Sequence, residues 1–588
     1  MTRTLEDLPA TTPAPRRSLL GISRTEAAVV GAAAAVLVVV FVALAAAHGA
    51  LGASRNDDWV YYRAAFRFAD GGTFSADPWS MAMLVGLVLL AQPFIAVFGH
   101  SIVALQLLVA VLAGVGLWAA YVVVRSILSP RWSAFSVGCL ALGPVYGGLS
   151  VTFMTDVPAF CFEMLALLTA LIALRAKSFS LAWFSVSLAI GLFAFSIREY
   201  AVAGTAAIAV AAFFRARSES KRLGWLVAGL VGLWFVVAVA LYRWRSGLVD
   251  SAGVEVMLVP SKWNVSVLRR TAFTMALFAI PLVPLLSFPR LLAKVWAHKW
   301  MAAGAAVLAV LVGVQFVKAR PDGSLVGNYL QPDGPYYVTL AGTPPTVIPA
   351  ALWQVLAVLS LVGFLALLLV ATVRVGALVR SGLATRSRPA MPQDWGRTLI
   401  FLFCVAATAI LAAIKLFTTA PLFDRYLIPI IPFVIALAVR AAIDHELIVA
   451  PKRAVAALSL GVFAVFGIGM VDTAATFDGV KWRLAESVEA KGYPARAIDG
   501  GYEWYGYHQP GAITPLGTPI PGRNFWIGLF DDRTVCVTDQ FSGPPTVHPA
   551  AGEPVVISER TGRSLLGVEY HMIAVAGPQS CQPDGGGK

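Results

Sequence analysis

The sequence predicts an all-α polytopic membrane protein with about thirteen transmembrane helices and a small C-terminal α/β or β domain outside the membrane. Two features of the composition support this prediction: 58% of the 588 residues are hydrophobic and only 13% are charged. The mean hydropathy is +0.75. The surface of a water-soluble protein must carry more polar residues than this chain can supply. The apolar residues therefore require lipid around them.

Thirteen apolar stretches are candidates for membrane-spanning helices, which need about 20 residues each. They lie at residues 26–48, 102–124, 132–150, 157–175, 179–197, 200–214, 223–242, 271–288, 300–317, 350–373, 398–418, 422–440 and 454–470. The first follows Arg16, Arg17 and Arg24. Because a signal peptide has an apolar core of only about 7–15 residues, we expect an uncleaved anchor. Cleavage in the Ala-rich stretch before Ser54 is the alternative.

The net charge of +13 does not indicate a nucleic-acid partner. The Lys and Arg residues cluster in short loops between the apolar stretches, where they orient a membrane protein with its basic loops in the cytoplasm. These loops lie at residues 125–131, 175–177, 215–222, 290–299, 374–388 and 440–453. All six fall on one side only if a further apolar stretch, 81–98, does not cross. We expect it to dip into the outer leaflet and return, interrupted at Gln92-Pro93.

This topology divides the chain into three parts. Residues 1–25 form a cytoplasmic tail, and residues 26–470 form the transmembrane domain with a first outer loop at 49–101. Residues 471–588 form a soluble domain outside the cytoplasm, with β-rich runs at 534–538 and 554–558. The predicted location is the plasma (inner) membrane.

Ionisable and polar residues collect at the predicted outer ends of five helices. They are Asp57, Asp58, Asp156, Arg198, Glu199, Lys415, Asp424, Arg425 and Tyr426. Ionisable groups at membrane depth are costly and usually functional. These residues also have ordinary explanations. Asp156 and Asp424 can cap helices, and Asp57 and Asp58 can be a solvated pair in a loop. Arg198 and Lys415 can extend to the membrane interface. For Arg63 and Arg67 we prefer such an explanation, anchoring to lipid headgroups.

The combination of charges suits one kind of reaction. Arg and Lys hold an anionic phosphate, and a nearby carboxylate can take a proton from an attacking hydroxyl. If the transferred group is a sugar, one carboxylate is the base of a single inverting displacement. The pattern therefore favours displacement of a lipid-phosphate leaving group by an acceptor alcohol.

At these residues the sequence resembles the GT-C superfamily of glycosyltransferases that use polyprenyl-phosphate sugars, in the branch of the protein O-mannosyltransferases and aminoarabinose transferases. The matching motifs are Asp57-Asp58 with Tyr61, the helix 81–98 in the first outer loop, Thr155-Asp156-Val157-Pro158, Ser196-Ile197-Arg198-Glu199 and Arg425-Tyr426-Leu427 with its following prolines. The likeness covers residues 26–470. Asp58 stands where many members have Glu, and Arg198 stands where Lys is common.

The resemblance implies a donor bound from the membrane and an acceptor glycan, lipid or protein that approaches from outside. By motif position Asp57 is the catalytic base, Asp58 supports it and Asp156 orients a substrate. Arg198 and Arg425 hold the phosphate, and Glu199 and Tyr426 lie beside them in the same motifs. Lys415 joins this set by its position alone. Some members bind a divalent metal; Asp57, Asp58 and Asp156 could do so here, although no histidine lies beside them.

Other motifs carry less information. Cys139, Cys161 and Cys404 are predicted to be apolar fillers within helices, and Cys536 and Cys581 can form a disulfide in the outer domain. No zinc-ligand spacing, Walker loop or dinucleotide motif occurs. The stretch 498–507 is rich in aromatic and acidic residues; we expect a turn packed against the sheet there rather than a sugar site.

Three other functions remain open. A transporter or lipid flippase would place charges near the middle of the membrane, with broken helices in paired repeats, and we find no such repeats. A scaffold would not need Asp57, Asp156, Arg198 and Arg425 together. A polysaccharide polymerase or ligase could share the same surface charges.

Overall fold

The computed structural model describes residues 21–75, 77–80, 82–248, 261–319, 325–336, 339–385, 394–448, 453–511, 513, 524–542 and 555–577. Within these residues the chain is mostly helical, with one small sheet near the C-terminal end. The predicted fold class, an all-α membrane protein with a small C-terminal domain that contains a sheet, is confirmed.

The helices are numbered α1 to α18 in chain order. The first nine are α1 Arg24–His48, α2 Asp58–Gly71, α3 Val85–Phe98, α4 Ile102–Arg125, α5 Pro130–Ala141, α6 Tyr146–Leu149, α7 Asp156–Arg175, α8 Leu181–Ile197 and α9 Val202–Glu219. The others are α10 Lys221–Ser246, α11 Lys262–Leu277, α12 Phe288–Trp296, α13 Lys299–Ala319, α14 Ala350–Thr385, α15 Trp395–Phe417, α16 Ile431–Asp444, α17 Arg453–Glu489 and α18 Tyr502–His508.

In the part of the chain that the structure describes, nine helices are long and apolar enough to cross a membrane. They are Arg24–His48, Ile102–Arg125, Asp156–Arg175, Glu199–Glu219, Lys221–Ser246, Lys299–Lys318, Ala350–Arg380, Trp395–Phe417 and Arg453–Glu489. Each lies at a predicted span. Nine of the thirteen predicted spans thus have a helix of full length.

The other four predicted spans contain shorter or interrupted helices. Residues 132–150 hold α5 and α6, and residues 179–197 hold α8 alone. The end of α11 and a 3₁₀ turn, Ile280–Leu285, occupy 271–288; a second 3₁₀ turn, Asp424–Leu427, precedes α16 in 422–440. Prolines explain the last two interruptions, because proline lacks the N–H that an α-helix needs. Hydropathy detects these segments but not their breaks.

The helix ends meet at two opposite faces of the bundle. At one of them, which we call the site face, the loop after α1 meets the segment before α7. The backbone N–H of Phe153 donates to Asp58 there at 3.3 Å. The turn after α8 lies at the same face, where Arg198 donates to Thr155 at 2.7 Å.

The opposite face carries the basic residues of the predicted cytoplasmic loops. Arg125 pairs with Glu26 at 2.8 Å, and Arg397 pairs with Asp444 at 3.1 Å. These contacts join α4 to the start of α1 and α15 to the end of α16. Because α1 begins here and ends at the site face, the two faces are separated by the length of the apolar helices.

α3 has both of its ends at the site face. At its start, the N–H of Leu84 donates to the carbonyl of Ile197, the last residue of α8, at 3.2 Å. Beyond its end, His100 lies 3.0 Å from Asp70 of α2, and α4 then begins. α3 therefore enters and leaves at one face, as the distribution of basic loops requires.

α17 continues well past the predicted end of its span at residue 470. It is an uninterrupted helix of 37 residues, which at about 1.5 Å per residue is roughly 55 Å long. Two glycines allow close packing on the bundle. A Cβ at Gly467 would overlap the backbone of Leu142, and one at Gly479 would overlap that of His48. The second half of α17 therefore stands beside the end of α1 at the site face.

The C-terminal region forms a four-stranded sheet against α17. Its strands are β1 Ile498–Asp499, β2 Val537–Phe541, β3 Val556–Arg563 and β4 Glu569–Ala576, in the order β1-β2-β4-β3. β1 pairs parallel with β2, and the other pairs are antiparallel. Both predicted β-rich runs lie at or beside these strands. The short α18 lies between β1 and β2 in the chain and packs against α2.

Candidate functional site

Asp57 lies immediately before α2 and directs its carboxylate toward the site face. The indole N–H of Trp79 and the hydroxyl of Tyr502 donate to one oxygen, at 3.0 and 3.3 Å. Arg425 donates to the other oxygen at 3.4 Å. The Asp57 side chain is 24% exposed, whereas Asp58 and Asp156 are fully buried. Of these three carboxylates, Asp57 is the one that a substrate can reach.

Arg425 lies between two carboxylates. Its guanidinium is 3.4 Å from Asp57 and 3.9 Å from Asp156, and its side chain is almost completely buried. Within the described residues, Nε and one terminal nitrogen of Arg425 have no hydrogen-bond partner, nor does Oδ2 of Asp156. Buried polar atoms without partners are costly. Arg425 therefore has hydrogen-bonding capacity that the described side chains do not use.

Arg198 supplies a second guanidinium beside the first. It donates to Thr155 at 2.7 Å and lies over the ring of Tyr426, 4.9 Å from its centroid. Tyr426 also lies under Arg425, at 5.7 Å. The ring thus contacts both cations on its electron-rich face, and two positive charges are held close to the carboxylates.

Tyr61 completes this group. Its hydroxyl interacts electrostatically with Asp57, Asp156, Arg198 and Arg425, and burial raises its pKa. The hydroxyl is therefore neutral and can donate or accept a hydrogen bond. Tyr200 adds a hydroxyl that donates to Asp156 at 3.1 Å.

Asp58 holds the backbone around Asp57. One of its oxygens accepts from the Ser54 hydroxyl at 2.6 Å and from the Arg55 N–H at 2.7 Å, and the other accepts from Phe153. Burial raises the pKa of Asp58 to about 8, against the lowering effect of these hydrogen bonds. Asp58 therefore stabilises the turn, and its carboxylate faces away from the accessible side of Asp57.

The remaining predicted residues lie around the group. Asp424 accepts from the N–H groups of Tyr329 and Leu330, at 2.9 and 2.8 Å, so it holds the 325–336 loop over the site. Glu199 interacts with Arg245 and with the backbone of Met83. Lys415 donates to the carbonyl of Ala420 at 3.0 Å and lies over Trp263. The described contacts of Lys415 do not include Asp57, Asp156, Arg198 or Arg425.

The structure contains a buried ionic network behind Asp57 that the sequence did not predict. Arg55 donates to Asp478 of α17 at 2.7 Å, with both side chains completely buried. Lys481, on the next turn of α17, lies 2.6 Å from Glu503 of α18. Glu503 in turn accepts from the N–H of Asn56 at 3.2 Å.

The network acts on a strained turn. Asn56 has a φ of 55°, a left-handed conformation that residues other than glycine adopt rarely. Strain of this kind persists when the surroundings determine it and is common at functional sites. The contacts of Arg55 and Asp58, together with the bond from the Asn56 N–H to Glu503, hold the turn that presents Asp57.

One interpretation of the sequence was wrong. Arg63 does not reach lipid headgroups: it is buried and donates to the carbonyls of Gly506 and Gln509, each at 2.8 Å. Arg67 pairs with Asp77 at 3.1 Å. The 498–507 stretch, expected as a turn packed against the sheet, contains β1 and most of α18, and the hydroxyl of Tyr502 donates to Asp57.

A divalent metal does not fit these residues as they stand. The guanidinium of Arg425 lies between Asp57 and Asp156, where a bridging cation would have to be. The Asp58 carboxylate accepts three hydrogen bonds and faces the support of the turn. Among the described residues, no group of three His, Cys, Asp or Glu side chains could hold a metal ion.

The cysteines are separated as predicted between the helices and the C-terminal region. Cys139, Cys161 and Cys404 are buried and free. Cys536 lies just before β2. Its predicted partner, Cys581, lies outside the described residues, so the pairing with Cys581 stays a prediction.

Comparison with known proteins gives one family match. Residues 85–242 match the model of the family described as dolichyl-phosphate-mannose-protein mannosyltransferase. This segment runs from α3 into α10 and contains Asp156 and Arg198. No curated protein matches the sequence.

Solved structures with a similar arrangement have low sequence identity. The crystal structure of ArnT from Cupriavidus metallidurans bound to undecaprenyl phosphate is 16% identical, with a TM-score of 0.37 over 95% of this chain and 100% of that one. Archaeal oligosaccharyltransferase AglB from Archaeoglobus fulgidus, in complex with an inhibitory peptide and a dolichol-phosphate, is 14% identical with a TM-score of 0.39; the match covers 84% of this chain and 61% of that one. The resemblance to the protein O-mannosyltransferases that the motifs predicted is confirmed by the family match, over residues 85–242.

Proposed function

We propose that this protein is a membrane glycosyltransferase that moves a sugar from a polyprenyl-phosphate donor to an acceptor hydroxyl. One observation carries the proposal: Asp57, Asp156, Arg198 and Arg425, from four separate segments of the chain, lie together at one face of a helical bundle. The match to the mannosyltransferase family over residues 85–242 supports the same conclusion.

The two arginines are the proposed phosphate ligands. Arg425 has nitrogen atoms without hydrogen-bond partners within the described residues, and Arg198 is directed to the same place by Thr155 and Tyr426. Guanidinium groups bind phosphate oxygens with two parallel hydrogen bonds. A polyprenyl chain can lie among the apolar helices while its phosphate reaches the arginines at their ends.

Asp57 is the proposed base. It is the accessible carboxylate of the group, and Trp79 and Tyr502 orient it through one oxygen. In the reaction the acceptor oxygen bonds to the anomeric carbon of the sugar, and its proton passes to Asp57. The bond between that carbon and the phosphate oxygen breaks, and the electron pair leaves with the polyprenyl phosphate. A single displacement of this kind inverts the anomeric configuration.

Asp156 and Tyr61 are the proposed orienting residues. Asp156 is buried and holds both Arg425 and the Tyr200 hydroxyl. The neutral Tyr61 hydroxyl interacts electrostatically with the four charges and can bind a sugar hydroxyl or a phosphate oxygen. We propose Glu199, Lys415 and Tyr426 as outer members of the substrate site, and Asp58 as a support of Asp57.

The proposed orientation places the site face outside the cytoplasm, at the plasma membrane. The opposite face carries the basic residues, and basic loops mark the cytoplasmic side. Residues 471–588 then form a domain outside the cytoplasm that covers the site. The acceptor is a glycan, a lipid or a protein present in that compartment.

The proposal is tested by mass spectrometry of envelope glycans, glycolipids and glycoproteins from a deletion strain. We expect one sugar residue to be missing, to return with the wild-type chain and to stay missing with Asp57→Asn produced at the same membrane level. Arg67→Gln, at an ion pair next to the site, is the matched control and should restore the sugar. Unchanged glycans in the deletion strain would contradict the transferase. Full restoration by Asp57→Asn would favour a flippase or a scaffold.

A further inference from the structure

A large cavity lies at the opposite face, far from Asp57. It has a volume of about 1150 Å³ and lies between the start of α5, the α11–α12 connection, the end of α16 and the start of α17. This volume exceeds the range of about 300–1,000 Å³ that is usual for small-molecule sites. The cavity therefore has room for an occupant larger than a typical metabolite.

The walls of this cavity are joined to one another by hydrogen bonds. The N–H of Ser287 donates to the carbonyl of Leu447 at 2.7 Å, and Leu286 forms an antiparallel bridge with Ile448. On the other side, the hydroxyl of Ser459 in α17 donates to the carbonyl of Pro281 at 3.0 Å. The cavity is thus a built part of the fold and not a gap between independent helices.

The lining has two chemically distinct parts. The walls are apolar and include Phe135, Leu285, Ile443 and Leu460, while the charged residues are Arg131, Arg290, Arg453 and Glu446. The three arginines are exposed and are in excess over the single acid. Each lies at or near a helix end, where lipid headgroups meet a membrane protein. Trp132, an interfacial residue type, lines the same cavity.

We propose that this cavity is a binding site for an anionic phospholipid of the leaflet at the opposite face. The headgroup phosphate binds Arg131, Arg290 and Arg453, and the acyl chains lie against Phe135, Ile443 and Leu460. Basic pockets between transmembrane helices are a recurring mode of anionic lipid recognition. A zwitterionic lipid fits the apolar walls equally well but carries an ammonium group that the arginines repel. The proposal does not depend on the function of the site face.

The test is native mass spectrometry of the full chain with added cardiolipin, phosphatidylglycerol or phosphatidylcholine. We expect cardiolipin or phosphatidylglycerol to bind about tenfold more tightly than phosphatidylcholine, because each arginine near the headgroup adds attraction. The triple variant Arg131→Gln, Arg290→Gln, Arg453→Gln should lose this preference. The matched control is Lys177→Gln, Arg217→Gln, Lys221→Gln, which removes three exposed positive charges from the same face and should keep it.

Thermal unfolding of the same proteins in detergent gives a second readout. Cardiolipin should raise the unfolding temperature of the wild type and the control more than phosphatidylcholine does, and should lose this advantage with the triple variant. The proposal is overturned if phosphatidylcholine binds equally well, if the triple variant keeps the preference, or if both triple variants lose it alike. Preferential binding of a single-chain polyprenyl phosphate through these arginines would also overturn it.

Discussion

The hydroxyl of Tyr502 donates a hydrogen bond of 3.3 Å to Asp57, a residue 445 positions earlier in the chain. This contact makes the C-terminal region part of the site and not an appended domain. The next residue, Glu503, bonds to the N–H of Asn56, so α18 holds both the carboxylate and the turn that presents it. A change in α18 should therefore alter the chemistry at Asp57.

Tyr502→Phe should lower turnover. The Tyr502 hydroxyl donates to the Asp57 carboxylate, so its loss removes one of the hydrogen bonds that orient the proposed base. We expect kcat to fall by about tenfold or more, because a misplaced catalytic group reacts slowly, while KM changes little. Tyr507→Phe is the control, since the ring of Tyr507 contacts Tyr62 and Trp482. Equal kcat values in the two variants would exclude a role of Tyr502 in orienting Asp57.

Arg425→Gln should weaken binding of a polyprenyl phosphate by about tenfold or more, because a charge-assisted double hydrogen bond is lost. The measurement is a titration of the purified protein with undecaprenyl phosphate. Arg440→Gln, on α16 at the opposite face, pairs with Asp444 and should leave the affinity unchanged. Equal affinities in the two variants would contradict phosphate binding at Arg425.

Arg55→Gln should strongly destabilise the protein. Its removal takes away the nearer of two buried cations beside Asp478, since Arg55 lies at 2.7 Å and Lys481 at 3.9 Å. Removing one partner of a buried ion pair costs about 3–5 kcal/mol in other proteins. Arg563→Gln breaks the exposed pair with Glu569 and should have no measurable effect, since exposed ion pairs contribute little. Unfolding temperatures in detergent compare the two variants. A similar small loss in both would show that the buried network does not hold the site turn.

Asp58 should make the protein less stable as the pH rises. Its pKa is about 4 in an unfolded chain, and burial raises it to about 8 in the folded protein. The folded state therefore holds a proton that the unfolded state has lost between these values, and stability falls across this range. Burial also raises the pKa values of Glu503 and Asp539, so the comparison must be with Asp58→Asn. Unfolding temperatures of the variant should fall less steeply between pH 5 and about 8; equal slopes would refute the assignment.

The sequence was sufficient to predict which parts of the chain are helical and where the charges meet. Hydropathy located the spans, and the basic loops indicated that 81–98 does not cross. Because that segment returns to the site face, Asp57, Asp156, Arg198 and Arg425 all fall at one end of the bundle. Local signals are enough for such a conclusion, since a membrane fixes both the direction and the length of each helix.

The contribution of the C-terminal region could not be predicted in the same way. Asp478 and Lys481 lie beyond the apolar part of α17, so hydropathy gives no sign that the helix continues to Glu489. The absence of proline between residues 453 and 489 was the available signal. Their partners, Arg55 and Glu503, come from other parts of the chain, and pairings of that range depend on tertiary packing. Arg63 was misinterpreted for the same reason.

The central claim is that the two arginines and Asp57 form one site for a lipid-linked phosphate. The most direct test is an experimental structure with undecaprenyl phosphate bound. We predict phosphate oxygens about 3 Å from the guanidinium groups of Arg198 and Arg425, with the Asp57 carboxylate facing the same space. A phosphate bound at another place on the protein, with Arg425 still paired to Asp57 and Asp156, would contradict the account.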